Sequence, residues 1–262
     1  MVQLSGKTFV ITGGSSGLGL GVVKRFVEHG ARVIVLDLSE PQSISDKVLY
    51  PGRVDVTRQN EVSVAIKLGI EKFGRLSGAV LCAGVLRTGL TAALPEHEDP
   101  YGLESFAGFR NLLDINVLGA FNVAQAVAQS IIDSEKTAPN PELDGDAGCI
   151  ILTSSYVSTD GQSGSVAYTA SKGALSAMVL PMARDLARYK IRINAIAPGV
   201  FLTPMSSAYV TDKSRCGEFP QRPGRPDEFA HLVQSVFENE MVNGAVIRQD
   251  AALRQAITSS TE

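Results

Sequence analysis

The chain has 262 residues, of which 27 are acidic and 24 basic, so its formal net charge is −3. Apolar residues make up 44% and charged residues 19%, a composition that excludes a disordered chain and is typical of folded globular proteins. The slight negative charge excludes a polyanion-binding surface spread over the whole molecule, and nucleic acid is therefore not an expected partner.

The cysteine content and the length of the apolar runs argue against three further classes of protein: disulfide-rich, thiolate metal-binding and membrane-spanning. Cys82, Cys149 and Cys216 are too few and too far apart for a disulfide framework or a thiolate metal site, and no metal is expected. No uninterrupted apolar stretch approaches the ~18 residues of a membrane span. The N-terminus runs directly into a predicted strand without a signal or transit peptide, so a soluble protein in the cytoplasm is expected.

Apolar runs alternate with helical patterns along the first half of the chain. Strands are predicted at 8–11, 32–36, 53–56 and 79–82, with a first helix that ends near Gly30 and a second over 59–73. This alternation predicts an α/β fold, a parallel sheet with helices on both faces.

The second half continues the same alternation. A long helix over 106–132 is interrupted by Gly119, and a surface loop over 134–148 precedes a strand at 149–153. A helix over 168–189 contains Pro181, which predicts a kink. A strand at 192–196, a helix over 229–238 and a last strand at 245–247 follow. Between them, 204–226 is rich in proline, serine and charge, which is typical of a substrate lid. No linker divides the chain, so we expect one doubly wound domain over 1–262.

A glycine-rich turn at 12–19 lies where the first strand gives way to the first helix. Glycines there allow positive φ and close approach of a pyrophosphate, and the helix N-terminus favours its charge. The second strand ends at Asp37, at the spacing of an acidic residue that accepts hydrogen bonds from the adenosine ribose. Its charge would repel a 2′-phosphate and favours NAD over NADP. The alternative is that Asp37 only caps the following turn.

Tyr168 and Lys172 are four residues apart and therefore share one face of a helix. A nearby ammonium stabilises a phenolate and lowers its pKa, which would make Tyr168 an acid–base catalyst for a substrate hydroxyl. A surface pair without function has the same spacing, and the pair alone does not distinguish the two.

Two further polar residues stand in positions that require an explanation. Ser155 follows the strand at 149–153, where open α/β sheets bind their ligands, and its hydroxyl can support a carbonyl oxygen or cap a loop. Asn116 lies inside the apolar segment 112–121, an expensive place for an unpaired amide. Its amide either bonds to backbone at a kink or holds a water near Lys172.

Taken together, these motifs resemble the short-chain dehydrogenases/reductases over almost the whole chain. The matching residues, in that family's order and approximate spacing, are the turn 12–19, Asp55-Val56, Cys82-Ala83-Gly84, Asn116, Ser155, Tyr168, Lys172 and Pro198-Gly199. The resemblance implies a Rossmann fold and a catalytic tetrad of Asn116, Ser155, Tyr168 and Lys172. Many members of that family have asparagine at the first position of the motif at 82–84, where this chain has Cys82.

The resemblance also implies binding roles. The implied cofactor residues are Gly13, Ser16, Gly17, Leu18, Gly19, Asp37, Asp55, Val56, Cys82, Gly84, Tyr168, Lys172, Phe201 and Thr203. Of these, Asp55 and Val56 would flank the adenine and Thr203 would reach the nicotinamide carboxamide. Ser155, Gln162 and Tyr168 are the implied substrate residues.

Several segments resemble a subgroup of the family that oxidises 3-hydroxyacyl-CoA esters, namely 73–75, 113–117, 180–187, 197–204, 228–234 and 243–248. We therefore expect reversible oxidation of a 3-hydroxyacyl-CoA with NAD. Alternatives are a dehydrogenase of another secondary alcohol, such as a hydroxysteroid or polyol, and a cofactor-bound scaffold without turnover. Lys213, Arg215 and Arg222 in the lid either meet CoA phosphates or are solvated surface charges. The resemblance further implies a homotetramer built on the long helices, and it leaves a mitochondrial location open.

Overall fold

The described residues form one parallel sheet of seven strands, which in chain order are β1 Thr8–Thr12, β2 Arg32–Leu36, β3 Val48–Leu49, β4 Leu76–Leu81, β5 Gly148–Thr153, β6 Ile191–Pro198 and β7 Val246–Gln249. This computed structural model describes residues 4–42, 45–92, 102–137, 145–207 and 216–254. The strands pair in the order β3-β2-β1-β4-β5-β6-β7, with every ladder parallel. The order therefore reverses between β1 and β4, the place where doubly wound sheets open a ligand crevice.

Seven α-helices accompany the strands within the described residues: α1 Gly17–Glu28, α2 Gln59–Phe73, α3 Phe106–Leu113, α4 Ala120–Thr137, α5 Val157–Asp160, α6 Val166–Leu186 and α7 Pro226–Glu238. Buried residues of α1 and α7 form one apolar core with one face of the sheet, and those of α2, α4 and α6 form a second core with the other. Because both faces are covered, the central strands are buried along their length and mostly apolar, and β6 also buries Arg192 and Asn194. The prediction of a doubly wound Rossmann sheet is confirmed.

The strand predicted at 53–56 is wrong, and the third strand is instead the short Val48–Leu49. The backbone N–H of Val54 donates to the carbonyl of Asp37 at 2.9 Å, and that of Asp55 donates to Glu61 Oε2 at 2.7 Å. These groups are therefore used by loop contacts rather than by a ladder. The apolar alternation that suggested a strand reflects the burial of Val54 and Val56.

The predicted long helix at 106–132 is interrupted, but not by a break at Gly119. A π-helical turn, Asp114–Gly119, connects α3 to α4 without leaving the helical path. A Cβ on Gly119 would lie 2.7 Å from Val56 Cγ2, so glycine allows close packing here. The helix then continues to Thr137, which corrects the first four residues of the loop predicted at 134–148. Residues 138–144 lie outside the described part of the chain.

Other boundaries shift by a few residues. Helix α6 begins at Val166 and contains Pro181, while a 3₁₀ turn covers Ala187–Tyr189. The short helix α5 escaped the sequence patterns because four residues carry no periodicity. In the region predicted as a lid, Pro204–Ser206 forms a 3₁₀ turn and α7 begins at Pro226. Residues 208–215 of that region lie outside the described part of the chain.

The helical run Phe106–Thr137 is long and apolar enough, by length and composition alone, to cross a membrane. The search for uninterrupted apolar stretches in the sequence did not identify this helical run as a candidate span. Half of its most apolar window is buried inside the protein, and Val123, Val127 and Ile131 belong to the apolar core. This burial is typical of a core helix.

Candidate active site

A cavity of about 590 Å³ opens at the carboxyl ends of the central strands. The predicted binding residues line it, namely Gly13, Ser16, Gly17, Leu18, Gly19, Asp37, Asp55, Val56, Cys82, Gly84, Ser155, Gln162, Tyr168, Lys172, Phe201 and Thr203. Asn116, the remaining predicted residue, is fully buried behind the cavity wall.

The glycine turn shapes one end of the cavity. Gly13 has φ +65°, and a Cβ there would lie 2.9 Å from the backbone nitrogen of Ala83. A Cβ on Gly19 would lie 2.2 Å from the carbonyl oxygen of Gly13. Helix α1 begins at Gly17, so its free N–H groups face this space. The space that side chains would fill and the positive end of the helix dipole together fit a dinucleotide pyrophosphate.

Asp37 caps the turn after β2, and the same carboxylate lines the cavity. One carboxylate oxygen accepts from the backbone N–H of Ser39 at 3.1 Å, which caps the turn after β2. The other accepts from the N–H of Ser15 at 3.0 Å and so ties this turn to the glycine loop. The half-buried carboxylate still lines the cavity, where a ribose would meet it.

Asp55 lines the same end of the cavity. Its Oδ1 accepts hydrogen bonds from the N–H of Thr57 at 2.9 Å and from Thr57 Oγ1 at 2.8 Å. The backbone hydrogen bond from Thr57 holds the pKa of Asp55 below its usual range, so the carboxylate is charged at neutral pH. Arg58, which the sequence did not single out, lines the cavity at the N-cap of α2.

Tyr168 and Ser155 meet at the opposite end. Burial raises the pKa of Tyr168 to about 12, and a hydrogen bond from the Ser155 side chain acts in the opposite direction. The net direction is contrary to the lowering predicted from the neighbouring lysine. The phenol is therefore protonated at neutral pH and is a proton donor.

The position of Lys172 explains why its charge does not lower the pKa of Tyr168. Its Nζ lies 5.6 Å from the centroid of the Tyr168 ring and donates to the backbone carbonyl of Thr153 at 2.7 Å. Burial lowers the pKa of Lys172 to about 8. The ammonium is thus held at the end of β5, close to the phenol but directed toward a main-chain oxygen.

Helix α6 is fixed to β5 by a residue that sequence patterns did not reveal. Ser154 Oγ donates to the carbonyl of Lys172 at 3.0 Å and lies 2.7 Å from Ser176 Oγ. Because Ser154 and Ser155 are adjacent, one hydroxyl anchors α6, the helix that carries Tyr168 and Lys172, while its neighbour reaches the phenol. Their serine pair was visible in the sequence, but only the structure separates the two roles.

Asn116 lies in the π-helical turn and is 1% exposed. Its carboxamide bonds to both main-chain groups of Val85 and donates to Ser171 Oγ at 3.1 Å. Asn116 therefore hydrogen-bonds the main chain of the loop that contains Val85, and not the main chain of its own helix. A Cβ on Gly84 would lie 3.1 Å from Asn116 Oδ1 and 3.8 Å from Lys172 Nζ, so glycine keeps the space between these groups open.

Cys82 lies in the cavity wall beside Thr153, whose hydroxyl donates to the thiol at 3.3 Å. Burial raises the pKa of Cys82 to about 11. The thiol is therefore protonated and a poor nucleophile at neutral pH. Its contribution is to shape the wall where the family usually has asparagine.

Apolar side chains also line the cavity, among them Val85, Leu86, Val157 and Met205, and Tyr168 packs against Val157. The ionisable carboxylates, guanidinium and ammonium that line the whole cavity, within the described residues, are Asp37, Asp55, Arg58, Asp114 and Lys172. Arg222 forms hydrogen bonds of 2.9 and 2.6 Å with the carboxylate of Glu228, which supports a surface role. Lys213 and Arg215 lie outside the described residues.

Comparison with known proteins identifies the family. The model of the family described as short chain dehydrogenase matches residues 7–214. "3-Hydroxyacyl-CoA dehydrogenase type-2" of Rattus norvegicus is 40% identical over 262 residues, which cover 96% of this chain and 97% of the relative. The human protein of that name is 38% identical, with 96% and 97% covered. "L-fucose dehydrogenase" of Bos taurus is 34% identical, with 87% and 82% covered.

A solved structure agrees with these sequence matches. The crystal structure of 3-hydroxyacyl-CoA dehydrogenase type-2 from Mycobacterium avium superimposes with a TM-score of 0.83 at 31% identity, covering 98% of this chain and 99% of that chain. The predicted family is confirmed, and with it an oxidoreductase that acts on CH–OH groups with a nicotinamide cofactor. The chain belongs to the short-chain dehydrogenase family.

Proposed function

We propose that this enzyme interconverts a 3-hydroxyacyl-CoA and the 3-ketoacyl-CoA with NAD, using Tyr168 as the acid–base residue. The observation that carries the proposal is the hydrogen bond between the Ser155 side chain and the Tyr168 phenol in the same cavity that the glycine turn lines. Relatives that share 37–41% identity over nearly the whole chain and are named for this activity support the substrate class.

Each of the four side chains of the predicted tetrad has a separate role in the proposed reaction. A bound nicotinamide would accept a hydride from the carbinol carbon or return one to the carbonyl carbon. In reduction, Tyr168 donates its phenolic proton to the substrate oxygen while Ser155 donates a hydrogen bond to the same oxygen; in oxidation, the phenolate takes the hydroxyl proton. Lys172 holds positive charge near that phenolate. The space kept open by Gly84 leaves room for a proton path between Lys172 and Asn116.

The cofactor preference rests on Asp37. Its carboxylate is fixed by two backbone N–H groups at the end of β2, where the adenosine ribose hydroxyls would lie. A phosphate on that ribose would meet the negative charge, so NAD is favoured over NADP.

The substrate end favours an acyl chain over a strongly polar molecule. Apolar lining residues such as Val85, Leu86 and Met205 suit a short or medium acyl group. The cations among the described lining residues are Arg58, at the N-cap of α2, and the buried Lys172. The CoA phosphates would therefore lie outside the cavity mouth. A hydroxysteroid or a polyol is the alternative substrate.

A panel of ketones tests the proposal with NADH absorbance as the readout. Acetoacetyl-CoA is compared with a CoA-free acetoacetate ester, a steroid ketone and a sugar ketone, each with NADH and with NADPH. We expect the highest kcat/KM for acetoacetyl-CoA with NADH. Failure on every CoA ester would exclude the proposed substrate, and failure on all ketones would leave a cofactor-bound scaffold.

Assembly, compartment and domain organisation are separate proposals. We propose a homotetramer, supported by exposed apolar side chains on the long helices, among them Leu118, Phe121, Val166 and Leu180. A monomer in light scattering would contradict it. We also propose one domain over 1–262, a lid over 204–226 and a cytoplasmic location, testable by limited proteolysis and cell fractionation.

A further inference from the structure

The guanidinium of Arg248 joins two segments that are far apart in the chain. It forms hydrogen bonds of 2.5 and 2.9 Å with the two carboxylate oxygens of Asp160, and Nη1 donates to Thr159 Oγ1 at 2.9 Å. On its other side, Nε donates to Asp250 Oδ2 at 2.8 Å and Nη2 donates to the carbonyl of Leu253 at 3.1 Å. Every nitrogen of the planar fork is thus engaged, an arrangement that lysine cannot reproduce.

One of these segments carries the substrate end of the active site. Asp160 is the last residue of α5, a single helical turn that begins two residues after Ser155 and ends two residues before Gln162. Ser155, Val157 and Gln162 all line the cavity. Because the turn is short, its orientation depends on contacts with its neighbours. Arg248 supplies the charged contact, and Ser176 Oγ in α6, which accepts from Ser154 or donates to it, anchors the chain just before the turn.

The other segment packs behind this turn. Leu253 is 3% exposed and forms an apolar cluster with Tyr156 and Val157, against which Tyr168 packs. Asp250 lies against Gly199, where an added Cβ would be 2.9 Å from that of the aspartate. Gly199 follows β6 and lines the cavity. The segment 250–254 therefore supports both the α5 turn and the end of β6.

We propose that Arg248 is a positioning residue for the reaction: by tying Asp160 to Asp250, it holds Ser155 and the adjoining cavity wall in place against Tyr168. It touches neither the cavity nor the cofactor end, and its side chain is 26% exposed. Its effect on catalysis must therefore pass through the α5 turn.

The Arg248→Met variant tests this role on a ketone that the wild-type enzyme reduces. We expect kcat to fall by about 10- to 100-fold, the scale of small misplacements of catalytic groups, while the NADH dissociation constant stays within about twofold. Arg248→Lys, which keeps the charge and loses the fork, should recover part of the rate, and Asp160→Asn should show a loss in the same direction. The double variant Arg248→Met/Asp160→Asn should have nearly the same kcat as Arg248→Met, because both substitutions remove the same Arg248–Asp160 contact.

Arg75→Met is the matched control, since it removes a partly exposed Arg75–Glu135 ion pair of 2.7 Å away from the cavity. Its kcat should equal that of wild type. Wild-type kcat in Arg248→Met would overturn the proposal, and so would a loss of NADH binding in parallel with kcat. If Arg248→Met does not fold, Arg248→Lys and Asp160→Asn decide by the same two measurements. The inference rests on the proposed site but not on the acyl-CoA substrate, because any ketone turned over by wild type serves. If the wild-type enzyme fails to reduce acetoacetyl-CoA, only the proposed substrate is wrong. If Arg248→Met has the wild-type kcat on another ketone, only the proposed role of Arg248 is wrong.

Discussion

Asn116 binds the main chain of Val85 through both atoms of its carboxamide. Its Oδ1 accepts from the Val85 N–H at 2.8 Å, and its Nδ2 donates to the Val85 carbonyl at 3.0 Å. The side chain thereby holds the loop after β4, one wall of the cavity, against the π-helical turn. The geometry gives Asn116 a structural role in addition to its predicted place in a catalytic tetrad.

Asn116→Leu should therefore lower stability as well as activity. The substitution leaves both Val85 main-chain groups without their side-chain partner, at about 1–3 kcal/mol for each group that stays dry. We expect the free energy of unfolding to fall by about 2–4 kcal/mol in a denaturant titration. Unchanged stability with lost activity would show that Asn116 acts only through the reaction.

Gly84→Ala separates the second task of this region. The added methyl group would lie between Asn116 Oδ1 and Lys172 Nζ and close the space between them. If a proton path uses that space, kcat should fall by about tenfold or more with NADH binding unchanged. Gly173→Ala is the control, because its nearest neighbour would be Ser158 O at 3.8 Å. Equal kcat in the two variants would argue against the path.

Asp37 should set the cofactor preference. Removing its charge with Asp37→Asn keeps the shape of the side chain but relieves repulsion of a 2′-phosphate, an effect of about 1–3 kcal/mol for partly exposed charges. The ratio of kcat/KM for NADH over NADPH should then fall by about 10- to 100-fold. Asp55→Asn should leave that ratio unchanged. A constant ratio in Asp37→Asn would assign the preference to other residues.

The sequence was most informative where one residue type serves one local need. The glycine turn, Asp37 and the Tyr168–Lys172 spacing follow from local backbone and helix geometry, and each lies where the pattern predicted. The strand predicted at 53–56 is wrong because this loop buries every second residue, Val54 and Val56, and so has the same apolar alternation as a strand. The raised pKa of Tyr168 could not be predicted either, since burial depends on how α6 packs against the rest of the fold.

Contacts between distant segments left no signal in the sequence. Arg248 and Asp160 are 88 residues apart, and nothing in either local pattern indicates that they meet. The same holds for Ser154, whose bond to the carbonyl of Lys172 depends on the packing of β5 against α6. Such pairs are set by tertiary structure, so local propensity cannot find them.

Lys172 should lower the stability of the enzyme at neutral pH. Because burial lowers its pKa from the ordinary 10.5 to about 8, the unfolded side chain binds more protons between these values, and stability rises with pH across that window. Lys172→Met removes the cost of burying the charge but also loses the bond to Thr153. We expect a net gain of about 1–2 kcal/mol near pH 7 that disappears near pH 10, measured by denaturant unfolding. A less stable variant at pH 7 would show that the bond to Thr153 outweighs the burial cost.

Tyr168 should give the two directions of the reaction different pH dependences. Burial raises the pKa of its phenol to about 12, so the protonated form needed for ketone reduction is fully populated at neutral pH. Alcohol oxidation needs the phenolate, and its rate should rise by up to about tenfold per pH unit from roughly pH 7 to 9, whereas reduction should not rise. Tyr168→Phe should abolish both while NADH binding, followed by fluorescence, stays nearly intact. Tyr189→Phe, which removes a hydroxyl outside the cavity lining, is the control. An oxidation rate independent of pH, or substantial turnover by Tyr168→Phe, would exclude the phenol as the acid–base group.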